Sequence, residues 1–284
     1  MSLMKIRFYI FIILGLASVL FAGGLLLEDG VLAEKQALIW AEEFDYDGLP
    51  DSTKWTYDIG DGCPKLCGWG NNELQYYTDK ELGNARVADG ILTIEAHKAE
   101  RENSTYTSAR LVTKGKADFK YGRIDVRAKT TGGLGAWSAI WMLPSDNVYG
   151  NWPKSGEIDI MEHVGFERDS IFGTPHTEAY NGMIFTQKTG GIEILDSEEA
   201  FHVYSVDWKE DRIDWYVDDI LYHTFHKEKD HYAYWPFDQD FHIILNLAIG
   251  GNWGGKHGVD HSIWPRSMEV DYIRVYTNES TRTN

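Results

Sequence analysis

Three carboxylates, Glu157, Asp159 and Glu162, stand in one short run whose other members, Ile158, Ile160, Met161 and Val164, are apolar. An unpaired charge is costly to bury, so acids set into an apolar strand point toward chemistry. Successive side chains of a strand alternate faces. Glu157 and Asp159 therefore share a face, and strict alternation puts Glu162 on the other. A single bulge near residues 160–161 would absorb the extra residue and return Glu162 to the shared face, and bulges recur beside active sites. Fully extended, the five-residue offset spans roughly 13–16 Å between Cα atoms. Two glutamates leaning together would bring their carboxyls to about 5–6 Å, the separation used for glycoside cleavage with retention. The plain alternative is a strand edge with solvated acids.

The elements that must position these acids read as short strands. Residues 37–47 form the first, ending in the acids Glu42, Glu43 and Asp45. Residues 63–78 are a loop rich in Gly, Asn and aromatics. Residues 86–96 read as a hairpin around Asp89-Gly90, and 108–114 and 122–129 follow. In the latter, Ile124, Val126 and Ala128 alternate with Arg123, Asp125 and Arg127. Residues 132–144 bring Trp137 and Trp141 into a run of small residues. Strands follow at 202–208, at 212–217 and 220–225 about an Asp218-Asp219 turn, and at 242–249 and 268–276. No long amphipathic helix, internal repeat or low-complexity linker interrupts this pattern after the N-terminal segment. Short, evenly spaced strands argue for an all-β sandwich or jelly roll, and residues 34–284 fit one domain.

The composition narrows the partners. The formal net charge is −17, and it stays at −17 without residues 1–33, because Lys5 and Arg7 leave together with Glu28 and Asp29. Such a chain repels nucleic acid and anionic surfaces, sulfated polysaccharides included, which favours a neutral partner. The 11 Trp, 16 Tyr and 12 Phe are more than a core needs where they sit in glycine-rich stretches, so some should line a groove. Residues 1–33 read as a basic-then-apolar export signal, cleaved after Ala22 or Ala33. The apolar run is also long enough to remain as an N-terminal membrane anchor. Cys63 and Cys67 are the only cysteines. In an exported protein, a short-loop disulfide is the plainer reading of that pair.

Six segments in order then carry a resemblance. They are Trp-Gly-Asn-Asn-Glu-Leu-Gln-Tyr-Tyr-Thr at 69–78, Tyr-Gly-Arg-Ile-Asp-Val-Arg-Ala-Lys at 121–129, and Ala-Trp-Ser-Ala-Ile-Trp-Met-Leu-Pro at 136–144. Gly-Glu-Ile-Asp-Ile-Met-Glu at 156–162, Leu-Asn-Leu-Ala-Ile-Gly-Gly-Asn-Trp-Gly-Gly at 245–255 and Met-Glu-Val-Asp-Tyr-Ile-Arg-Val-Tyr at 268–276 complete the set. The chain resembles glycoside hydrolase family 16 over about residues 37–277, in particular its laminarinase-like endo-β-1,3-glucanases.

That resemblance implies a β-jelly-roll sandwich of two curved antiparallel sheets with an open concave cleft. It implies a secreted, monomeric enzyme that cleaves neutral β-1,3-glucan through a covalent intermediate, with no cofactor for catalysis. Glu157 looks like the nucleophile, Glu162 like the general acid/base, and Asp159 like the residue that tunes the pair. Trp137, Trp141, Trp152 and Trp253 resemble sugar-stacking or cleft-rim residues, and Asn72, Arg110 and His176 resemble subsite residues. His176 follows Gly-Thr-Pro where the family pattern has an aliphatic residue. Core packing for Trp141, a strand-edge ion pair for Arg110 and turn packing for Trp253 are the alternatives. Glu43, Gly90 and Asp271 match a structural Ca²⁺ site, with simple hydrogen bonding of Asp271 to backbone as the rival. Mixed-linkage glucanases, galactan hydrolases, transglycosylases and non-catalytic glucan-recognition proteins share the scaffold. The extra residue between Asp159 and Glu162 weighs against the first, the negative charge against sulfated galactans, and retention of both glutamates against the last.

Overall fold

The computed structural model describes residues 36–277, so the export signal or anchor expected at 1–33 lies outside the described residues. Two antiparallel sheets stack as a β-jelly-roll sandwich. The cleft sheet runs in the order Gly190–Glu193, Ser170–His176, Glu157–Val164, Ala136–Pro144, Phe241–Ile249, Arg110–Val112 and Thr56–Tyr57. The backing sheet runs Ile220–His226, Arg212–Val217, His202–Trp208, Gly122–Lys129, Arg266–Tyr276, Ile91–Arg101, Ser104–Ser108 and Gln75–Tyr77. Its last pairing is parallel. Among the described residues no helix is long and apolar enough to cross a membrane.

Alternation sets which face each strand buries. Along Gly122–Lys129, Ile124, Val126 and Ala128 are fully buried while the charged residues between them stay partly exposed. Phe241–Ile249 is buried at every position, because it is central in its sheet, with Ile243, Leu245, Leu247 and Ile249 in the core and Asn246 and Ala248 on the floor of the cleft. Trp208, Trp215, Phe237 and Phe241 fill the space between the sheets. Side chains of this size contribute about 1.5–3 kcal/mol each on full burial. The two expected hairpins are present. Asp89 and Gly90 have φ 53° and 78°, and Asp218 and Asp219 have φ 48° and 64°, the left-handed pairs that a two-residue turn between twisted strands demands. The Cys63–Cys67 disulfide is formed and closes the loop that leads into Trp69.

Candidate active site

The bulge is where the alternation required it. Toward the neighbouring strand, Met161 faces Ile140 and Asp159 faces Trp141, so Ile160 has no opposite number. Toward the other neighbour, Glu157 faces His176, Asp159 faces Thr174 and Glu162 faces Phe172, with the register slipping between Asp159 and Glu162. Ile158, Ile160 and Met161 all go into the core. Glu157, Asp159 and Glu162 line a single cleft. Ala139, directly across from Glu162, has too small a side chain to cover that acid. Gly156, at φ 85°, leads into the strand, and a Cβ there would stand 2.8 Å from Pro236 Cγ.

A second layer holds the bulge from behind. Trp215, on the backing sheet, donates its indole N–H to the Asp159 carbonyl at 2.8 Å. That approach depends on Gly173. A Cβ on Gly173 would lie 2.4 Å from Trp215 Cδ1 and 2.5 Å from the Tyr222 hydroxyl, so a larger residue there would push the two sheets apart.

Burial of three acids in one pocket shifts them all in the same direction. Burial pushes the Glu157 carboxyl up to about 8, with the Asp159 charge adding to the effect, while His176 and the Trp152 side chain favour the charged form. Asp159 is raised by burial. Glu162 is raised well above the ordinary carboxylate range, first by burial and then by Asp159, against the pull of His176. The Trp137 indole donates to Glu162 Oε1 at 3.1 Å. His176 Nε2 lies 3.1 Å from Asp159 Oδ2 and 3.8 Å from Glu157 Oε1. Like charges held this close cannot all ionise, so the free site retains protons near neutrality. Glu157, Asp159 and His176 offer donor atoms that all lie within 4.8 Å of one another, an arrangement that could hold a divalent cation in place of substrate.

The rest of the cleft floor comes from three strands and the 63–78 loop. The Arg110 guanidinium lies 4.7 Å from both the Trp69 and Trp141 rings, and its Nε lies 2.9 Å from Asp58. The ion pair and the cleft position are thus both present. Trp141 lines the cleft and donates to Asn246 Oδ1 at 2.7 Å. Asn246 donates to the Tyr77 hydroxyl at 3.1 Å, which donates to Glu73 at 3.4 Å. Glu73 also accepts from Gln75 and Asn71, and burial raises its carboxyl. It is a fourth cleft acid that the sequence reading passed over.

Other expected residues sit farther out. Asn72 is exposed and donates to Asn252, while Asn71 lines the floor. Asn71, Glu73 and Tyr77 are separated by even numbers of residues, so alternation counted back from Tyr77 puts them on one side and leaves Asn72 at the rim. Trp253 stands edge-on to Trp137 and Phe172 at 5.5 and 5.3 Å, making it a rim aromatic. Trp152, 39% exposed, lies 6.0 Å from the His176 ring. The three expected calcium donors each have other partners or roles in this structure. Glu43 is held by Arg274 through both oxygens at 2.8 Å, Asp271 is paired with Arg127, and Gly90 is in its hairpin turn. Both acids already have their charge met by a guanidinium.

Comparison with known proteins agrees with this geometry. The family model described as Glycosyl hydrolases family 16 matches residues 69–274. The chain is 51% identical over 246 residues to a β-glucanase of Rhodothermus marinus, covering 84% of each protein. It is 37% identical to a glucan endo-1,3-β-glucosidase of Cryptopygus antarcticus, covering 84% of this chain and 92% of that one. The crystal structure of the Rhodothermus marinus laminarinase superposes with a TM-score of 0.82 at 50% identity, over 86% of this chain and 98% of that one.

Proposed function

The chain belongs to glycosyl hydrolases family 16, and from that premise we propose that it is an endo-acting β-1,3-glucan hydrolase in which Glu157 is the nucleophile and Glu162 the general acid/base. The observation that carries this reading is the bulge at Ile160, which puts both glutamates on one cleft face with Asp159 between them. Retention needs one ionised and one protonated carboxyl at the same sugar. Glu157 faces His176 across the strand pair, and that side chain favours its charged form. Burial and then the Asp159 charge raise Glu162 well above the ordinary carboxylate range, which suits the proton-holding role.

The reaction then follows in two steps. The Glu157 carboxylate attacks the anomeric carbon while Glu162 gives its proton to the departing glycosidic oxygen. The C–O bond to the leaving glucan breaks and a glycosyl ester forms on Glu157. Glu162, now charged, takes a proton from water as that water attacks the same carbon, and the ester breaks with net retention. Asp159 keeps the charges in balance between the two. Two carboxylates supply all of this chemistry, and no cofactor is needed.

The cleft suits a neutral polymer. Trp69, Trp137 and Trp141 offer flat rings for the C–H faces of glucosyl units, and Arg110, Asn71, Asn246 and Glu73 offer hydrogen bonds for hydroxyls. A neutral glucan also avoids the repulsion that the net charge of −17 imposes on sulfated chains. We read residues 1–33 as the export segment of a monomeric, secreted enzyme. Incubation with laminarin should release reducing sugar with the β-anomer formed first, seen by proton NMR, and with smaller yields from lichenan and agarose. Initial release of the α-anomer, or release from agarose alone, would reject the proposal.

A further inference from the structure

The connection from Thr177 to Thr189 carries an apolar tip that packing of the sandwich does not require. Its first foot follows His176, which faces Glu157 across the strand pair. Its second foot, Thr189, shares a hydroxyl–hydroxyl hydrogen bond of 3.0 Å with Thr174, which faces Asp159. Residues directly opposite one another in an antiparallel pair share a face, so both feet stand on the cleft side. Between them Gly182 lies against the active site, where an added Cβ would be 3.9 Å from His176 Cε1. The segment is therefore a wall of the cleft, on the opposite side of the acids from Arg110, Trp69 and Asn246.

At the top of this wall Met183, Ile184 and Phe185 are 74%, 55% and 88% exposed. They do not dangle. Asn181, 3% exposed, accepts from the Met183 N–H at 3.1 Å and donates to the carbonyls of Thr177 and Glu178 at 3.0 and 3.2 Å. Phe185 is held at φ 56°, in the left-handed region that bulky side chains avoid. A buried amide thus fixes a strained turn, and the result is a rigid display of three apolar side chains in water. Trp152, 39% exposed, lies 6.0 Å from the same His176 ring and its side chain hydrogen-bonds to Glu157, while Lys154 beside it reaches Glu178 of the connection at 3.6 Å.

We propose that Met183, Ile184 and Phe185, continued by Trp152, form a platform for the part of the glucan chain that runs past the acids toward the Ser170–His176 side. This rests on the glucan-hydrolase reading and extends it to chain-length preference. The C–H faces of glucosyl units lie well on such a surface, and fixing it in advance lowers the ordering cost of binding. Three side chains cover far less than a stable dimer needs, and the acidic surface disfavours an anionic membrane, so the sugar chain is the occupant.

The test compares the full chain with Phe185→Asn and with Met183→Ser/Ile184→Ser/Phe185→Asn. The readout is the ratio of kcat/KM on laminarin to kcat/KM on a chromogenic laminaribioside too short to reach the tip. Asn tolerates the left-handed region, so Phe185→Asn should melt no lower than the parent. The ratio should fall about three- to tenfold, through a higher KM for laminarin, as expected for loss of an exposed stacking surface. An unchanged ratio overturns the platform, as does tip-dependent flotation with phosphatidylcholine vesicles or tip-dependent dimerisation in sedimentation. A parent that cleaves neither substrate sinks the hydrolase reading and the platform together. A parent that cleaves laminarin with an unchanged ratio in both variants sinks the platform alone.

Discussion

Glu157→Gln should abolish turnover and yet stabilise the fold, by an amount that grows with pH. Burial and the Asp159 charge hold the Glu157 carboxyl at about 8 against an ordinary value of 4.5. The folded protein therefore binds this proton more tightly than the unfolded chain does. Between those two values the folded state carries more protons, so stability falls as pH rises through the window. Below about 4.5 the group is protonated in both states and contributes nothing. Above about 8 it is ionised in both, and the folded state bears the full penalty. At ~1.4 kcal/mol per tenfold change in proton affinity, the gap is worth about 5 kcal/mol. Asp159 and Glu162 share the same protons, so part of the penalty stays with them, and a gain of about 2–5 kcal/mol above pH 8 is the working figure. Urea unfolding of parent and variant at intervals from pH 4 to 8.5 measures it. The two proteins should match near pH 4 and diverge steadily above it. Parallel curves, or a variant less stable at pH 8, would refute the electrostatic account of the site.

Other substitutions probe the supports of the site. Trp215→Phe removes the hydrogen bond to the Asp159 carbonyl, a loss of about 1–3 kcal/mol, and kcat on laminarin should fall more than KM rises. Arg110→Lys gives up a planar cation lying 4.7 Å from two indole rings. KM should rise about tenfold with kcat less affected, since a lysine does not reproduce that stacking. Gly156→Ala puts a methyl group 2.8 Å from Pro236 Cγ at φ 85° and should cost more than ~1 kcal/mol in thermal unfolding.

What the sequence reveals about this site depends on how local each fact is. The bulge is legible because three acids and a parity rule leave a single way to place Glu162 with its partners. The hairpins at Asp89-Gly90 and Asp218-Asp219 are legible because their turn residues tolerate positive φ. The strand Ser170–His176 escapes notice because Gly173 and Pro175 break up its hydrophobic pattern, although Gly173 is there to admit Trp215. Asn72 stands out in the motif, but side-chain parity gives the floor to Asn71 and Glu73. The contact of Trp215 with Asp159 joins residues 56 apart on different sheets, and no local pattern encodes it. The guanidinium partners of Glu43 and Asp271 escape notice for a similar reason, since Arg274 and Arg127 reach them only after the strands pair.

Roles for the two glutamates can be separated by azide rescue on an activated aryl laminaribioside, with the product anomer read by NMR. If Glu157 is the nucleophile, Glu157→Ala with azide should yield the α-glycosyl azide, because azide then attacks the sugar directly. If Glu162 is the acid/base, Glu162→Ala with azide should yield the β-glycosyl azide, formed from the intact enzyme ester. The reverse pairing of variant and anomer, or no rescue in either, would contradict the assignment on which the mechanism stands.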